Sequence, residues 1–196
     1  MNLSGARALA VGAGLALALA MGAAPTAAMA EVRVGTTDVT VKADISNVSF
    51  KAPTVIPFAA NADGTLVGPS GKTLTIDNLS AYGIHVTNMK VTAKNDWTIT
   101  ADAKTGSAQN SIDFKVGPDK AEKDASSATQ TTGLDLSKDA NFDMKYQGIA
   151  DGTDKIKLNV SGHVARVTRD IYHATGTGDQ VASITWTVEP GAHATS

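Results

Sequence analysis

Hydrophobic and polar residues alternate most regularly in the middle of the chain, between residues 96 and 102. One face of this stretch carries Trp97, Ile99 and Ala101, and the other carries Asp96, Thr98, Thr100 and Asp102. Successive side chains of a β-strand point to opposite sides of its sheet. The pattern therefore predicts a strand with one buried face and one face in water.

A second stretch near the C-terminus repeats this arrangement. Between residues 183 and 188, Ile184, Trp186 and Val188 fall on one face. Trp97 and Trp186, the two tryptophans of the chain, thus occupy similar positions in two predicted strands. Large aromatic side chains in phase with Ile and Val are typical of a core, so we predict that both rings are mostly buried. Stacking of one ring on a glycan is the alternative.

Short alternating segments separated by turn residues continue along the rest of the chain. Their apolar positions fall in residues 39–45, 48–50, 74–76, 84–93, 112–116, 142–146 and 156–164. A change of phase near residues 87–88 predicts a β-bulge or a short turn. About nine or ten short strands without an amphipathic helix predict an all-β fold. We expect an antiparallel β-sandwich, with a closed barrel as the alternative. The polar residues 119–132 are expected to form a surface loop.

The first 30 residues are predicted to be a secretory signal peptide. Arg7 gives a basic start, residues 8–24 are nearly all Ala, Leu, Val and Gly, and Ala28-Met29-Ala30 is a small-x-small cleavage site. A single membrane anchor is the alternative for this segment. Residues 31–196 would then form one domain, with a frayed tail after Pro190.

Composition narrows the classes of partner. The chain has 17 basic and 19 acidic residues, a net charge of −2, so it lacks the basic surplus expected of a protein that binds nucleic acid or anionic lipid. It has no cysteine, which excludes a disulfide framework and a lipid-modified cysteine.

Candidate catalytic and metal-binding residues are few. The histidines at 85, 163, 173 and 193 have no zinc-site spacing, and we expect His85 and His163 to face solvent on strands. No G-x-S-x-G or S-x-x-K motif is present. The Asp-rich turns at 63–64 and 151–154 do not match a calcium loop. We therefore predict no catalytic residue, no metal site and no small-molecule cofactor.

Two short motifs resemble the signatures of WxL-type cell-surface domains of Gram-positive bacteria. The first is Asn95-Asp96-Trp97-Thr98-Ile99, and the second is residues 182–190, which contain Thr185-Trp186-Thr187-Val188 near the C-terminus. In that family a Trp-x-Leu lies within the domain and a second one ends the chain. The resemblance implies a secreted domain that binds the cell wall without covalent attachment.

The expected function is therefore that of an exported, non-enzymatic bacterial surface protein, located outside the cell or on its wall. Its partners would be peptidoglycan or a larger surface adhesin. The candidate binding residues are the two tryptophans and the threonines beside them, Trp97, Thr98, Thr100, Thr185, Trp186 and Thr187. The alternative is a subunit of an extracellular fibre, in which residues 31–45 self-associate by adding a strand to a neighbouring copy.

Overall fold

Strands make up most of the regular structure in the computed structural model, which describes residues 47–69, 74–171 and 178–193. These residues contain thirteen strands and two 3-10 helices, Ala125–Ala128 and Ala140–Phe142. The strands are β1 (Phe50–Lys51), β2 (Ala59–Ala60), β3 (Thr65–Val67), β4 (Thr75–Asn78), β5 (Ile84–Ala93), β6 (Thr98–Ile99), β7 (Ser111–Gly117), β8 (Lys123–Asp124), β9 (Leu134–Asp135), β10 (Asp143–Met144), β11 (Lys155–Lys157), β12 (Asn159–Ala165) and β13 (Ala182–Pro190). The prediction of an all-β fold is confirmed, whereas the sandwich packing stays a prediction.

Two predicted segments lie outside the described residues. These are residues 1–30, predicted as a signal peptide, and the alternating segment 31–45. Within the described ranges, no helix is long and apolar enough to cross a membrane.

The longest strand pair is formed by β5 and β13, which run antiparallel along their whole length. The register shifts between Thr187 and Val188, which leaves Thr87 as an extra residue in β5. This is the bulge predicted from the change of phase, and Val86 and Met89 on either side of it are both fully buried. On the other side of β5 lie β9 and β10.

A second sheet has the order β2-β3-β12-β7-β6, with β8 also paired to β7. Its centre is the antiparallel pair β7 and β12, which is in register from Asn159↔Gly117 to Ala165↔Ser111. The short strand β6 is parallel to β7. A third sheet has the order β1-β4-β11. The chain passes from the third sheet to the second between β11 and β12, so the single strand predicted over residues 156–164 is divided into two.

The core draws side chains from all three sheets. Ile76 of β4, Ile84 and Met89 of β5 and Ile112 of β7 are 0–1% exposed and belong to one cluster. Burial of each such side chain stabilises the fold by about 1.5–3 kcal/mol. Because alternation with polar residues places these positions on one face of each strand, the sequence pattern alone identifies them.

The predicted strand over residues 96–102 is mostly wrong. Only Thr98 and Ile99 form β6, because Asn95 and Asp96 have φ angles of 51° and 59° and turn the chain just before Trp97. Asn and Asp are the non-glycine residues that best tolerate this left-handed conformation.

The predicted surface loop at residues 119–132 is also wrong in part. It contains β8 and the 3-10 helix Ala125–Ala128, in which Ala125 and Ala128 are fully buried. The Asp124 side chain accepts a hydrogen bond from the Ser126 backbone N–H at 2.8 Å and caps the helix.

Candidate functional site

An apolar groove of about 810 Å³ lies between β13 and the inner face of the second sheet. The sheet contributes the fully or nearly buried side chains of Leu66, Ile112, Phe114 and Val116. Leu66 belongs to β3 and the other three residues belong to β7, where Asp113 and Lys115 point to the opposite face, so the apolar face of β7 is the one that turns to the groove.

The opposite wall is the first half of β13. Ala182, Ile184 and Trp186 all line the groove and are only partly buried, whereas Val188 farther along the same face is 8% exposed. The core is therefore closed at the Val188 end of the strand and open at the Ala182 end.

Among the residues that the structure describes, one backbone edge of β13 has no pairing strand. Among the described residues, β13 pairs only with β5, so β13 is an edge strand of nine residues. Such an edge presents a row of N–H and C=O groups that can pair with a further strand.

Residues 53–60 form the remaining wall. Pro53 and Pro57 interrupt this segment, which crosses the groove without forming a strand before β2. Its Phe58 ring packs against Phe114 with ring centroids 6.3 Å apart, while Val55 is 70% exposed.

One end of the groove is held by a hydrogen-bonded cluster centred on Asp179. Its carboxylate accepts hydrogen bonds from Trp97 Nε1 at 2.9 Å, from Asn95 Nδ2 at 2.9 Å and from Arg169 Nε at 2.5 Å. The Trp97 indole, with help from Arg169 and Asn95, lowers the pKa of Asp179 to about 2. The Trp97 ring is 4% exposed, so this cluster fixes a buried ring rather than presenting it to a glycan.

The structure separates the six residues predicted to bind. Trp97 and Trp186 both line the groove; the prediction of mostly buried rings holds for Trp97, while Trp186 is only partly buried. Thr98 is exposed, but it belongs to the second sheet, whereas the exposed Thr185 and Thr187 belong to β13.

The fourth threonine, Thr100, does not face water. Its Oγ1 is buried, and no group in the described part of the chain forms a hydrogen bond with it. The predicted row of threonine hydroxyls therefore consists of two separate exposed groups on different sheets.

The structure contains a cluster of two histidines and an aspartate that the sequence did not predict. His85 Nδ1 donates to Asp143 Oδ1 at 2.7 Å, and His193 Nδ1 donates to Asp143 Oδ2 at 2.7 Å. His85 is 2% exposed, so the expectation that it faces solvent is wrong. Burial opposes ionisation of Asp143, but the hydrogen bonds from His193 and His85 outweigh it and lower its pKa.

His85 is not placed to act as a catalytic base. The second nitrogen of His85, Nε2, is 2.9 Å from the Leu136 carbonyl oxygen, so both ring nitrogens are already engaged with acceptors. Gly191 N–H also donates to Gly83 O at 2.9 Å, and together these bonds attach residues 191–193 to the domain. Among the described residues, no group of three His, Asp or Glu side chains is placed to hold a metal ion.

Comparisons with protein-family models, with curated proteins and with solved structures return no match for this chain.

Proposed function

We propose that this chain is an exported, non-enzymatic surface protein that binds an extended apolar segment of another polypeptide along the edge of β13. The observation that carries the proposal is that, among the described residues, β13 has one unpaired backbone edge and also lines an apolar groove. Ile184 and Trp186 of β13, which are only partly buried, line that groove.

Binding by strand addition uses both parts of this surface. The backbone of β13 supplies hydrogen bonds, and every second side chain of the added strand enters the groove. Each apolar side chain removed from water contributes about 1.5–3 kcal/mol, against the cost of ordering the segment. The surface therefore selects a segment of alternating apolar and polar residues.

A synthetic peptide of alternating Thr and Val, with lysines at its ends for solubility, tests this proposal. We expect saturable binding and a shift of tryptophan fluorescence to shorter wavelength, because Trp186 becomes buried while Trp97 is already buried. Ile184→Lys should abolish the shift. Thr187→Lys, a matched change on the exposed face of the same strand, should leave it unchanged. No saturable shift with the wild-type chain, or equal binding by Ile184→Lys, would contradict the proposal.

Binding to the cell wall is a second proposal. It is supported by the exposed side chains of Thr185 and Thr187 and by the resemblance of residues 182–190 to the second WxL signature. A short row of hydroxyl and methyl groups suits weak, multivalent contact with a polymer of sugars and peptides.

Sedimentation with purified cell wall tests the second proposal. We expect the wild-type chain to pellet and Thr185→Glu/Thr187→Glu to stay in the supernatant. Thr98→Glu, on the second sheet, measures whether that sheet contributes to binding of the cell wall. If the wild-type chain stays in the supernatant, wall binding is wrong.

A further inference from the structure

We infer that the segment bound by the groove is residues 39–45 of a second copy of this chain, so that copies assemble head to tail. The inference rests on the proposed function, because it names the partner of the same groove.

The sequence of this segment has the pattern that the groove selects. Val39, Val41, Ala43 and Ile45 alternate with Thr40, Lys42 and Asp44. No proline or glycine interrupts residues 36–46, so every residue of the segment can adopt extended geometry. Seven residues of strand span roughly 23 Å, and they match the seven residues of β13 from Ala182 to Val188.

The start of the described chain restricts how the same molecule could act as donor. Ser49 N–H donates to Ser80 Oγ, and Leu79 N–H donates to Ser49 O, so residues 47–49 lie on the loop between β4 and β5. The same loop receives the end of β13, where Gly191 N–H donates to Gly83 O. A segment that leads into Asn47 from its own copy would therefore run parallel to β13.

A second copy is free of this constraint. Its segment can enter at the open Ala182 end and run antiparallel to β13, as β5 does on the other side. Antiparallel pairing is the more stable arrangement per residue, and apart from the two-residue strand β6 every described pairing in this protein is antiparallel. Because each copy would carry one donor segment and one groove, the contact is head to tail, and it builds a filament unless the rotation between copies closes it into a ring.

Mixing two defective chains tests the inference. Both are expressed without residues 1–30, one with Val41→Asp in the donor segment and one with Ile184→Asp in the groove. We expect the unchanged chain to form species heavier than a monomer, each variant alone to be monomeric, and the mixture to give a dimer of twice the monomer mass. Thr40→Asp and Thr185→Asp, on the polar faces of the same two strands, should assemble like the unchanged chain. A mixture that remains monomeric overturns the inference.

Cysteine cross-linking gives a measurement that does not depend on how Ile184→Asp folds. The chain has no cysteine of its own. Ile45→Cys in one chain, mixed with Ala182→Cys in another, should give a disulfide-linked dimer, because antiparallel pairing over seven residues places these two positions opposite each other. Asp44→Cys, which points to the opposite face, should give much less. A monomeric chain with an internal disulfide in the double variant Val39→Cys/Ala182→Cys would show that the segment binds its own copy in the parallel direction.

The outcomes separate this inference from the function on which it rests. If the Thr-Val peptide binds but no dimer forms in either experiment, the partner is not a second copy, and strand binding stands. If the peptide also fails to bind, the strand-binding proposal and the inference that copies assemble are both wrong.

Discussion

Asp179 is the residue on which the Trp97 end of the groove depends. Its carboxylate is the acceptor for the indole N–H of a ring that is 4% exposed, and it pairs with Arg169. A buried donor left without an acceptor costs about 1–3 kcal/mol. The side chain of Asp96 also approaches Arg169, at 3.8 Å, but it is 95% exposed. Asp96 is therefore a suitable control for substitutions of Asp179.

We expect Asp179→Asn to lower the free energy of unfolding by about 1–3 kcal/mol, because one of its three donors then faces an amide N–H₂. Asp96→Asn should change it by less than about 0.5 kcal/mol, since exposed ion pairs contribute little. Urea unfolding followed by circular dichroism measures both. Equal effects of the two substitutions would contradict the role given to Asp179.

The stability difference between the wild-type chain and Asp179→Asn should also depend on pH. The pKa of Asp179 is about 2 in the folded protein against an ordinary value of 3.8, so its contribution is fully present above 3.8 and is lost as the pH falls toward 2. The difference in stability between wild type and Asp179→Asn should therefore shrink over that interval. Other aspartates with a lowered pKa, such as Asp63 and Asp102, are common to both chains and cancel in the difference. A difference that stays constant from pH 5 to pH 2 would contradict this assignment.

His85 shows the largest departure of a single residue from its sequence expectation. It lies between Ile84 and Val86 on β5, and all three residues are buried, so β5 is covered on both faces. Asp143 and the Leu136 carbonyl oxygen cover the His85 face. The ring therefore has a structural role that a polar side chain between two apolar residues of an alternating strand does not indicate.

We expect His85→Leu to destabilise the domain by about 2–4 kcal/mol, because Asp143 and the Leu136 carbonyl lose a buried donor. His163→Leu is the matched control. The His163 side chain is 33% exposed, and its contact with Asp113 is 3.4 Å long, so its loss should cost less than about 1 kcal/mol. Thermal and urea unfolding of both variants measure the difference, and an effect of His85→Leu no larger than the control would be evidence against the cluster.

At the level of the strands, the pairing of β7 with β12 depends on a glycine. A Cβ added at Gly162 would lie 2.1 Å from Asp113 O and 2.8 Å from Phe114 Cα. Both are backbone atoms of β7, so the strands would have to move apart. Phe114 lines the groove, so the close approach of β12 to β7 at Gly162 also sets the position of the groove wall.

Gly162→Ala should cost about 1–3 kcal/mol and should weaken binding of the Thr-Val peptide, because overpacking displaces the wall that contains Phe114. Gly106→Ala is the control, since a Cβ there would meet only Asp102 O at 3.4 Å. Unfolding measurements and the fluorescence titration check the two effects. Full stability of Gly162→Ala would show that the strands can separate at no cost.

Over the whole molecule, the core is complete at one end of β13 and open at the other. Val188 is 8% exposed, whereas Ile184 and Trp186 remain only partly buried beside the groove. An unpaired edge and an incomplete core are liabilities for an isolated domain. In the proposed assembly, the addition of one apolar strand along β13 would remove both.

The alternation of apolar and polar residues by itself determined the all-β class, the apolar face of each long strand and the bulge at Thr87. These are local properties, because side chains alternate with a period of two wherever a strand forms. Tertiary structure decided the rest. It shortened the Trp97 strand through the turn at Asn95 and Asp96, and it placed the two tryptophan strands in different sheets. It also buried His85 against residues about fifty positions away. Contacts between distant segments decide which strand lies at the edge of a sheet and which strand is covered on both faces. No local pattern in the chain encodes these contacts.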